Sequence, residues 1–250
     1  MLFVKRNYST RYKQTILGPG WLILNPLITV VLYSIVFGKI AGLSTDGAPQ
    51  FAFYLCSNAI WSYFAKCITE TSNTFTANAG IMGKVYFPRL VMPISAVLTG
   101  FLDLLIQLGL LMGLIIYYIM AGISINITVM IFISPLIILQ VAFLGLGCGI
   151  IIAACTTKYR DLAVLVSFGV QLWMYASPVV YTTTTIPENF RGIYMLNPMA
   201  PIISCWRYSI LGTGEFPTGY LGISWIITIV ILVFGVILFS HIEKTFMDTV

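Results

Sequence analysis

Residues 51–75 read FAFYLCSNAIWSYFAKCITETSNTF, a stretch that combines the length of a membrane helix with a row of polar side chains. An α-helix that spans a bilayer needs about 20 predominantly apolar residues. Five polar residues recur at spacings of four, four, four and three: Asn58, Ser62, Lys66, Glu70 and Asn73. These spacings place them along one face of a helix. Because such a face turns toward protein or a water-filled path, the stretch predicts a spanning helix inside a helical bundle.

The composition of the whole chain agrees with a membrane protein. The chain has 250 residues, of which 59% are hydrophobic and 8% are charged, and its mean hydropathy is +0.96. Soluble domains carry about 25% charged residues, so this chain has too few charges to cover a surface that faces water. Its net charge of +5 lies mainly in short segments between apolar runs. That distribution is typical of membrane topology signals and does not indicate a nucleic-acid partner.

The apolar runs predict an all-α integral membrane protein with six spans in one transmembrane domain, residues 1–250. The predicted spans are about 21–39, 51–75, 93–120, 127–155, 162–181 and 220–241. If the N-terminus is cytoplasmic, nine Lys and Arg residues lie on the inner side and three, Lys39, Arg191 and Arg207, on the outer side. The excess of cations on the inner side favours both termini in the cytoplasm.

Two connections between the predicted spans are unusual. Residues 76–92, TANAGIMGKVYFPRLVM, form a cytoplasmic segment that mixes cations, aromatic residues and proline. The external connection 182–219 is too long for a simple hairpin and contains two apolar pieces separated by Asn197-Pro198. Neither piece is long enough to span alone, so we expect short re-entrant helices that pack against protein.

Three charged residues are expected to meet inside the membrane. Lys66 and Glu70 are one helical turn apart and can pair. Asp103 lies about ten residues into the third span, about 15 Å deep, and Lys66 lies at a similar depth. We therefore predict a buried ion-pair group of Lys66, Glu70 and Asp103. Its simplest role is to fix the packing of two helices, and the alternative is contact with a transported substrate.

The sequence shows no pattern typical of an enzyme. It contains no GxxxxGK[ST] phosphate loop, no HExxH and no GxSxG. The single histidine, His241, lies at the end of the last span, and the eight acidic residues are scattered. These observations predict no catalytic residue, no metal site and no nucleotide site.

Aromatic residues in the second and fifth predicted spans have two interpretations. Flat aromatic faces suit sugar rings, so these side chains would line a channel for a glycan; the alternative is ordinary packing between helices. The candidate channel-lining residues are Asn58, Trp61, Ser62, Phe64, Lys66, Trp173 and Tyr175.

Five segments together resemble one family. They are residues 6–27, 84–93 (KVYFPRLVMP), 159–162 (YRDL), 177–181 (SPVVY) and 196–208 (LNPMAPIISCWRY). In this order, with six predicted spans, they resemble the transmembrane permease of ABC transporters that export polysaccharides such as O-antigens and teichoic acids. The resemblance runs from about residue 6 to the end of the sixth span.

This resemblance implies a function and a set of partners. It implies a channel-forming, homodimeric permease in the cytoplasmic (inner) membrane that exports undecaprenyl-diphosphate-linked polysaccharide. Two ATP-binding subunits on separate chains would bind ATP and Mg, and the permease itself would bind no cofactor. The alternatives are a permease for teichoic acid or for a small lipid or drug, a membrane-bound enzyme of glycan assembly, and a secondary carrier.

The resemblance also implies roles for two cytoplasmic segments. Residues 1–20 would form an interfacial helix and an elbow before the first span, where membrane lipids and the lipid diphosphate meet Arg6, Arg11, Tyr12 and Lys13. Cations there attract anionic phosphates, although control of topology alone also explains them. Residues 76–92 would form a coupling helix that contacts the ATPase. Its candidate contact residues are Gly83, Lys84, Tyr86, Phe87 and Arg89.

Overall fold

The computed structural model describes residues 17–74, 90–158 and 162–246, together with Val4. Eight α-helices account for most of these residues, and the described part of the chain contains no β-strand. The helices are α1 (Trp21–Tyr33), α2 (Gln50–Ser72), α3 (Val91–Met120), α4 (Ser134–Lys158), α5 (Leu162–Tyr175), α6 (Glu188–Tyr194), α7 (Met199–Leu211) and α8 (Thr218–Phe246). The all-helical fold is the one predicted from the sequence.

Four of the six predicted spans are long and apolar enough to cross a membrane, among the residues that the structure describes. Including short flanking turns, they cover Gly18–Ile40, Val91–Met120, Val129–Thr156 and Thr218–His241. The second and fifth predicted spans are also helical, as α2 and α5. Helix α2 has 23 residues but carries the polar row, and α5 has only 14 residues.

Short turns of other helical types extend two of the spans. A 3-10 turn, Gly18–Gly20, leads directly into α1, and Gly18 has a φ of +50°, a conformation that glycine adopts without strain. After α1, the backbone continues through a π-helical segment, Ser34–Ile40. A second 3-10 turn, Val129–Ile133, precedes α4. This first turn lies at the end of residues 1–20, where an elbow is predicted before the first span, while most of the predicted interfacial helix lies outside the described residues.

Helix α2 lies at the centre of the bundle. It packs against α3, α4 and α7, and α1 covers part of its remaining surface. The large side chains of Phe53, Tyr54 and Phe64 are completely buried. Residues 53–64 of α2 therefore lie in the core of the fold.

Alternating glycines let α4 approach two helices on opposite sides. A Cβ atom added at Gly145 would lie 2.5 Å from Cβ of Cys67 in α2. A Cβ atom added at Gly147 would lie 2.9 Å from Cα of Leu232 in α8, where Gly235 approaches the Gly147 carbonyl equally closely. Small residues at such positions allow close packing of membrane helices, which depends on van der Waals contact and not on the exclusion of water.

Helix α5 ends at Tyr175, six residues before the predicted end of the fifth span. Proline disfavours the helical conformation of the residue before it, and Pro178 follows Ser177 directly. The connection between α5 and α8 then contains two short helices, α6 and α7, which are separated at Asn197 and Pro198 as expected. Helix α7 is almost entirely buried against the rest of the bundle.

Candidate functional site

The structure brings Lys66, Glu70 and Asp103 together between α2 and α3. Lys66 Nζ contacts Oδ2 of Asp103 and lies 3.9 Å from Oε1 of Glu70. The side chains of Lys66 and Asp103 are 16% and 8% exposed. The aliphatic part of Lys66 passes close to Gly100 of α3. A Cβ atom added at Gly100 would lie 3.7 Å from Cδ of Lys66. Charges at this depth are stable only when they are paired, so the group acts as a strong constraint on how α2 and α3 pack.

The polar row of α2 makes a second contact with α3, closer to the N-terminal end of α2. One turn from Lys66, the Ser62 hydroxyl donates to Oε1 of Gln107 at 3.0 Å. Gln107 lies one turn beyond Asp103 on α3 and is buried. In the single chain Ser62 and Lys66 of this row therefore face α3, and a neighbouring helix is one of the two environments expected for polar side chains in a membrane.

An aromatic and amide network joins α2, α5 and the segment before α7. The ring centroids of Phe64 and Trp173 lie 5.1 Å apart, and the two ring planes are nearly perpendicular. Trp173 Nε1 donates to Oδ1 of Asn197 at 2.9 Å. The amide of Asn197 donates in turn to the carbonyl of Ala176 at 2.9 Å and to Oγ of Ser177 at 3.0 Å. Asn197 thus ties the end of α5 to the start of α7.

Arg207 is a buried cation of α7 that is surrounded mainly by neutral groups. Its side chain is held over the ring of Phe53, with 4.3 Å between Cζ and the ring centroid. Nη1 donates to the carbonyl of Pro178 at 3.2 Å and, at 3.5 Å, to that of Tyr181. Burial lowers the pKa of Arg207 to about 10, partly opposed by the nearby Cys56. The guanidinium therefore stays charged at neutral pH and pins α7 onto the turn after α5.

One face of α5 presents polar side chains away from the bundle. Ser167, Gln171 and Tyr175 recur every four residues, and all three are exposed. Neighbouring apolar residues of the same helix, such as Phe168 and Leu172, are exposed as well. A glutamine on an otherwise apolar membrane helix favours a protein or water-filled neighbourhood over lipid. This face is therefore the strongest candidate for a surface that meets another chain or a transport path.

The predicted channel-lining residues are distributed unevenly in the single chain. Asn58, Trp61 and Phe64 are buried inside the bundle, and Ser62 and Lys66 contact α3. Trp173 is partly exposed and Tyr175 is exposed. The residues predicted to contact the lipid diphosphate (Arg6, Arg11, Tyr12 and Lys13) and the ATPase (Gly83, Lys84, Tyr86, Phe87 and Arg89) lie outside the described residues. Within the described part, no cluster of histidine, cysteine and acidic side chains is arranged to bind a metal ion.

Comparison with known families identifies the chain. The family model described as "ABC-2 type transporter" matches residues 1–211. The chain belongs to the ABC-2 type transporter family. As a member of this family with several helices able to span a membrane, it is a multi-pass permease subunit.

Related ABC-2 proteins align with nearly the whole chain. An O-antigen export system permease protein RfbA of Klebsiella pneumoniae is 28% identical over 249 residues, which cover 99% of this chain and 93% of that protein. RfbA of Myxococcus xanthus is 28% identical over 207 residues, or 82% of this chain and 76% of that protein. The inner membrane transport permease YadH of Escherichia coli strain K12 is 21% identical over 226 residues, or 88% and 86%.

The structure adds three residues to the site that the sequence interpretation did not single out. Gln107 extends the polar contact between α2 and α3, Asn197 joins the external segment to α5, and Arg207 fixes α7. A charged residue in an apolar stretch is itself a signal of a specific role. Arg207 carries that signal, but the sequence interpretation counted it only as an external topology cation.

Proposed function

We propose that this chain forms the channel of an ATP-driven exporter that moves undecaprenyl-diphosphate-linked polysaccharide, such as an O-antigen, across the inner membrane. The observation that carries this proposal is the similarity to O-antigen export permeases along nearly the entire chain. The absence of a phosphate-loop pattern from the sequence agrees with ATP hydrolysis on a separate chain.

The channel is proposed to form between two copies of the chain. The exposed polar face of α5, with Ser167, Gln171 and Tyr175, supports a path on this side of the bundle. Two such faces would enclose polar side chains between the subunits and keep them away from lipid. Trp173 and Tyr175 would then contact the glycan, and Phe64 would support Trp173 from behind. Asn58, Trp61, Ser62 and Lys66 would reach the path only when α2 and α5 separate.

The membrane helices would be driven by two ATP-binding subunits. Residues 76–92 supply the proposed contact with them, through Gly83, Lys84, Tyr86, Phe87 and Arg89. Aromatic residues and arginine are enriched at the cores of protein interfaces, which suits this role.

The lipid diphosphate would approach beside Arg6, Arg11, Tyr12 and Lys13, where cations attract phosphate. Replacing Arg6 and Arg11 with alanine should reduce export while insertion and ATPase binding remain intact; a change of topology alone would reduce the segment to an anchor.

Export is tested in cells that make the lipid-linked glycan but lack their own exporter. Producing this chain with its ATPase should restore surface glycan, and a Walker-lysine variant of the ATPase should abolish it. Export that persists with the inactive ATPase would argue for a secondary carrier. Conversion of the glycan by the purified chain without ATP would argue for an enzyme.

The proposed subunit contact has its own test. Gln171→Cys should form a disulfide between two copies in native membranes, because the residue lies on the proposed shared face. Ile226→Cys is the matched control, since Ile226 is 65% exposed on α8 and lies on a different helix. Equal crosslinking at both positions, or crosslinking only at Ile226, would contradict this arrangement of the dimer.

A further inference from the structure

A long apolar groove runs between α3 and α4. It extends along α3 from Ile94 to Met112 and has a volume of about 780 Å³. Its floor includes Tyr63 of α2 and both Trp206 and Ile210 of α7. The groove exists because α3 and α4, although consecutive in the chain, contact each other much less than each contacts α2.

The groove opens on an exposed, apolar surface of two helices that are long enough to cross a membrane. Leu98, Leu105 and Met112 on one rim and Leu139 on the other are each between 41% and 46% exposed. An open groove on this surface cannot stay empty at low cost, because its walls would lose van der Waals contacts. Water is a poor occupant, since buried water needs two to four polar partners.

The side chains that line the groove offer almost no polar contact. Trp206 Nε1 already donates to the Cys56 carbonyl at 3.0 Å, so this donor is used within the protein. The hydroxyl of Ser134 at one end is buried and accepts or donates no hydrogen bond among the described residues. A single hydroxyl cannot recognise a charged headgroup, so the chemistry of the walls selects hydrocarbon.

The dimensions decide between a protein helix and a hydrocarbon chain. Eighteen residues separate Ile94 from Met112, so the groove is about 27 Å long at 1.5 Å per residue. Dividing 780 Å³, the space open to the centre of a water-sized sphere, by this length gives a mean cross-section of about 29 Å² for that space. On the same measure, an envelope about 10 Å in diameter leaves about 40 Å² for the centre of a sphere of about 1.4 Å radius, so a helix with its side chains is wider than the groove. Because carbon atoms in contact lie about 3.5–4.0 Å apart, a single extended alkyl chain fits.

We propose that acyl chains of membrane phospholipids occupy this groove. The groove length of about 27 Å is close to the full hydrocarbon thickness of about 30 Å, whereas one leaflet supplies about 15 Å. Two chains, one from each leaflet, therefore fill it end to end. The bound lipid takes the place of direct contact between α3 and α4 and supports Trp206, which belongs to the external helix α7. This lipid site is separate from the export path proposed above and does not depend on it.

The site is tested by photocrosslinking of the full-length protein in nanodiscs. The probe is a phosphatidylcholine with a diazirine in the middle of one acyl chain, and the labelled peptides are identified by mass spectrometry. Labelling should concentrate on residues 94–112 and 131–146. Ala142→Trp fills the groove and should abolish this labelling, whereas Ile226→Trp, on the exposed surface of α8, should leave it unchanged. Leu105→Trp, at the rim, is the second blocking variant if Ala142→Trp fails to fold.

Four results would overturn the proposal. The first is labelling spread evenly over the exposed surfaces of α1, α3, α4 and α8. The second is groove labelling that both blocking variants leave intact. The third is protection of the groove by a second copy, seen as protein–protein crosslinks from residues 94–112. A photoreactive polyprenyl diphosphate that labels the groove while the phospholipid probe does not would likewise assign it to a different lipid.

Discussion

Removal of Lys66 should destabilise the protein much more than neutralisation of Asp103. Lys66 lies between two carboxylates, in contact with Asp103 and 3.9 Å from Glu70. Lys66→Met takes away the cation and leaves both acids close together in the membrane. Asp103→Asn keeps Lys66 beside Glu70, so the remaining charges still pair. The structure therefore predicts an asymmetric effect of two changes that each remove one charge.

The magnitudes follow from the burial of the group. Removing one partner of a buried ion pair costs about 3–5 kcal/mol, which we expect for Lys66→Met because Asp103 is only 8% exposed. Asp103→Asn should cost about 1–3 kcal/mol, the range for a weakened buried hydrogen bond. The difference of about 2 kcal/mol corresponds to a factor of about 30 in the folded-to-unfolded ratio.

The assay is reversible unfolding of the purified protein in mixed micelles, followed by tryptophan fluorescence. Ser62→Ala is the matched control on the same face, since it removes only a neutral hydrogen bond of about 0.6 kcal/mol. The double variant Lys66→Met with Asp103→Asn should show a coupling energy above about 0.5 kcal/mol. Lys66→Asp combined with Asp103→Lys should recover expression and export lost in the single variants.

Two results would refute this reasoning. A cost of Asp103→Asn equal to that of Lys66→Met would show that Glu70 does not compensate Lys66. Additive effects of the two substitutions, within error, would show that Lys66 and Asp103 act independently. Failure of the charge swap alone would reject the exchangeable pairing of the two side chains.

Three further substitutions test other contacts. Gly149→Leu should destabilise the fold by about 1–3 kcal/mol in micelle unfolding, because a Cβ atom there would lie 2.5 Å from a side-chain atom of α2. The control is Gly109→Leu, which has open space around it and should stay within about 0.5 kcal/mol of wild type. Asn197→Leu should shift the emission of Trp173, which loses its acceptor, and a spectrum unchanged from wild type would contradict the contact. Arg207→Met should increase proteolysis of the external segment 182–219 in membranes without changing insertion, and unchanged digestion would reject the anchoring role.

The helices and the ion pair could be predicted from the sequence because both depend on simple periodicity. Apolar length indicates where helices lie, and a similar depth for Lys66 and Asp103 predicts that the two charges are neighbours. The break between α6 and α7 follows from Asn197-Pro198, since proline and asparagine favour turns. These inferences need only the position of each residue along its own helix.

Other features depend on how helices are arranged in three dimensions. The acyl-chain groove requires α3 and α4 to diverge, and no local pattern in either helix records that divergence. The polar row of α2 indicates a protected environment but does not distinguish a neighbouring helix from a channel. Arg207 follows Trp206 in a short apolar helix, and only the fold brings the carbonyls of Pro178 and Tyr181 to it.

The alternating glycines of α4 have a mechanical consequence. Gly145 and Gly147 bring α2 and α8 close to the backbone of α4 on opposite sides, so we expect α2, α4 and α8 to move as one block. Among the described residues, no glycine of α1 or α5 makes such a close approach, and both helices keep large exposed surfaces. We therefore expect gating of one subunit to move α1 and α5 relative to a fixed group of α2, α4 and α8.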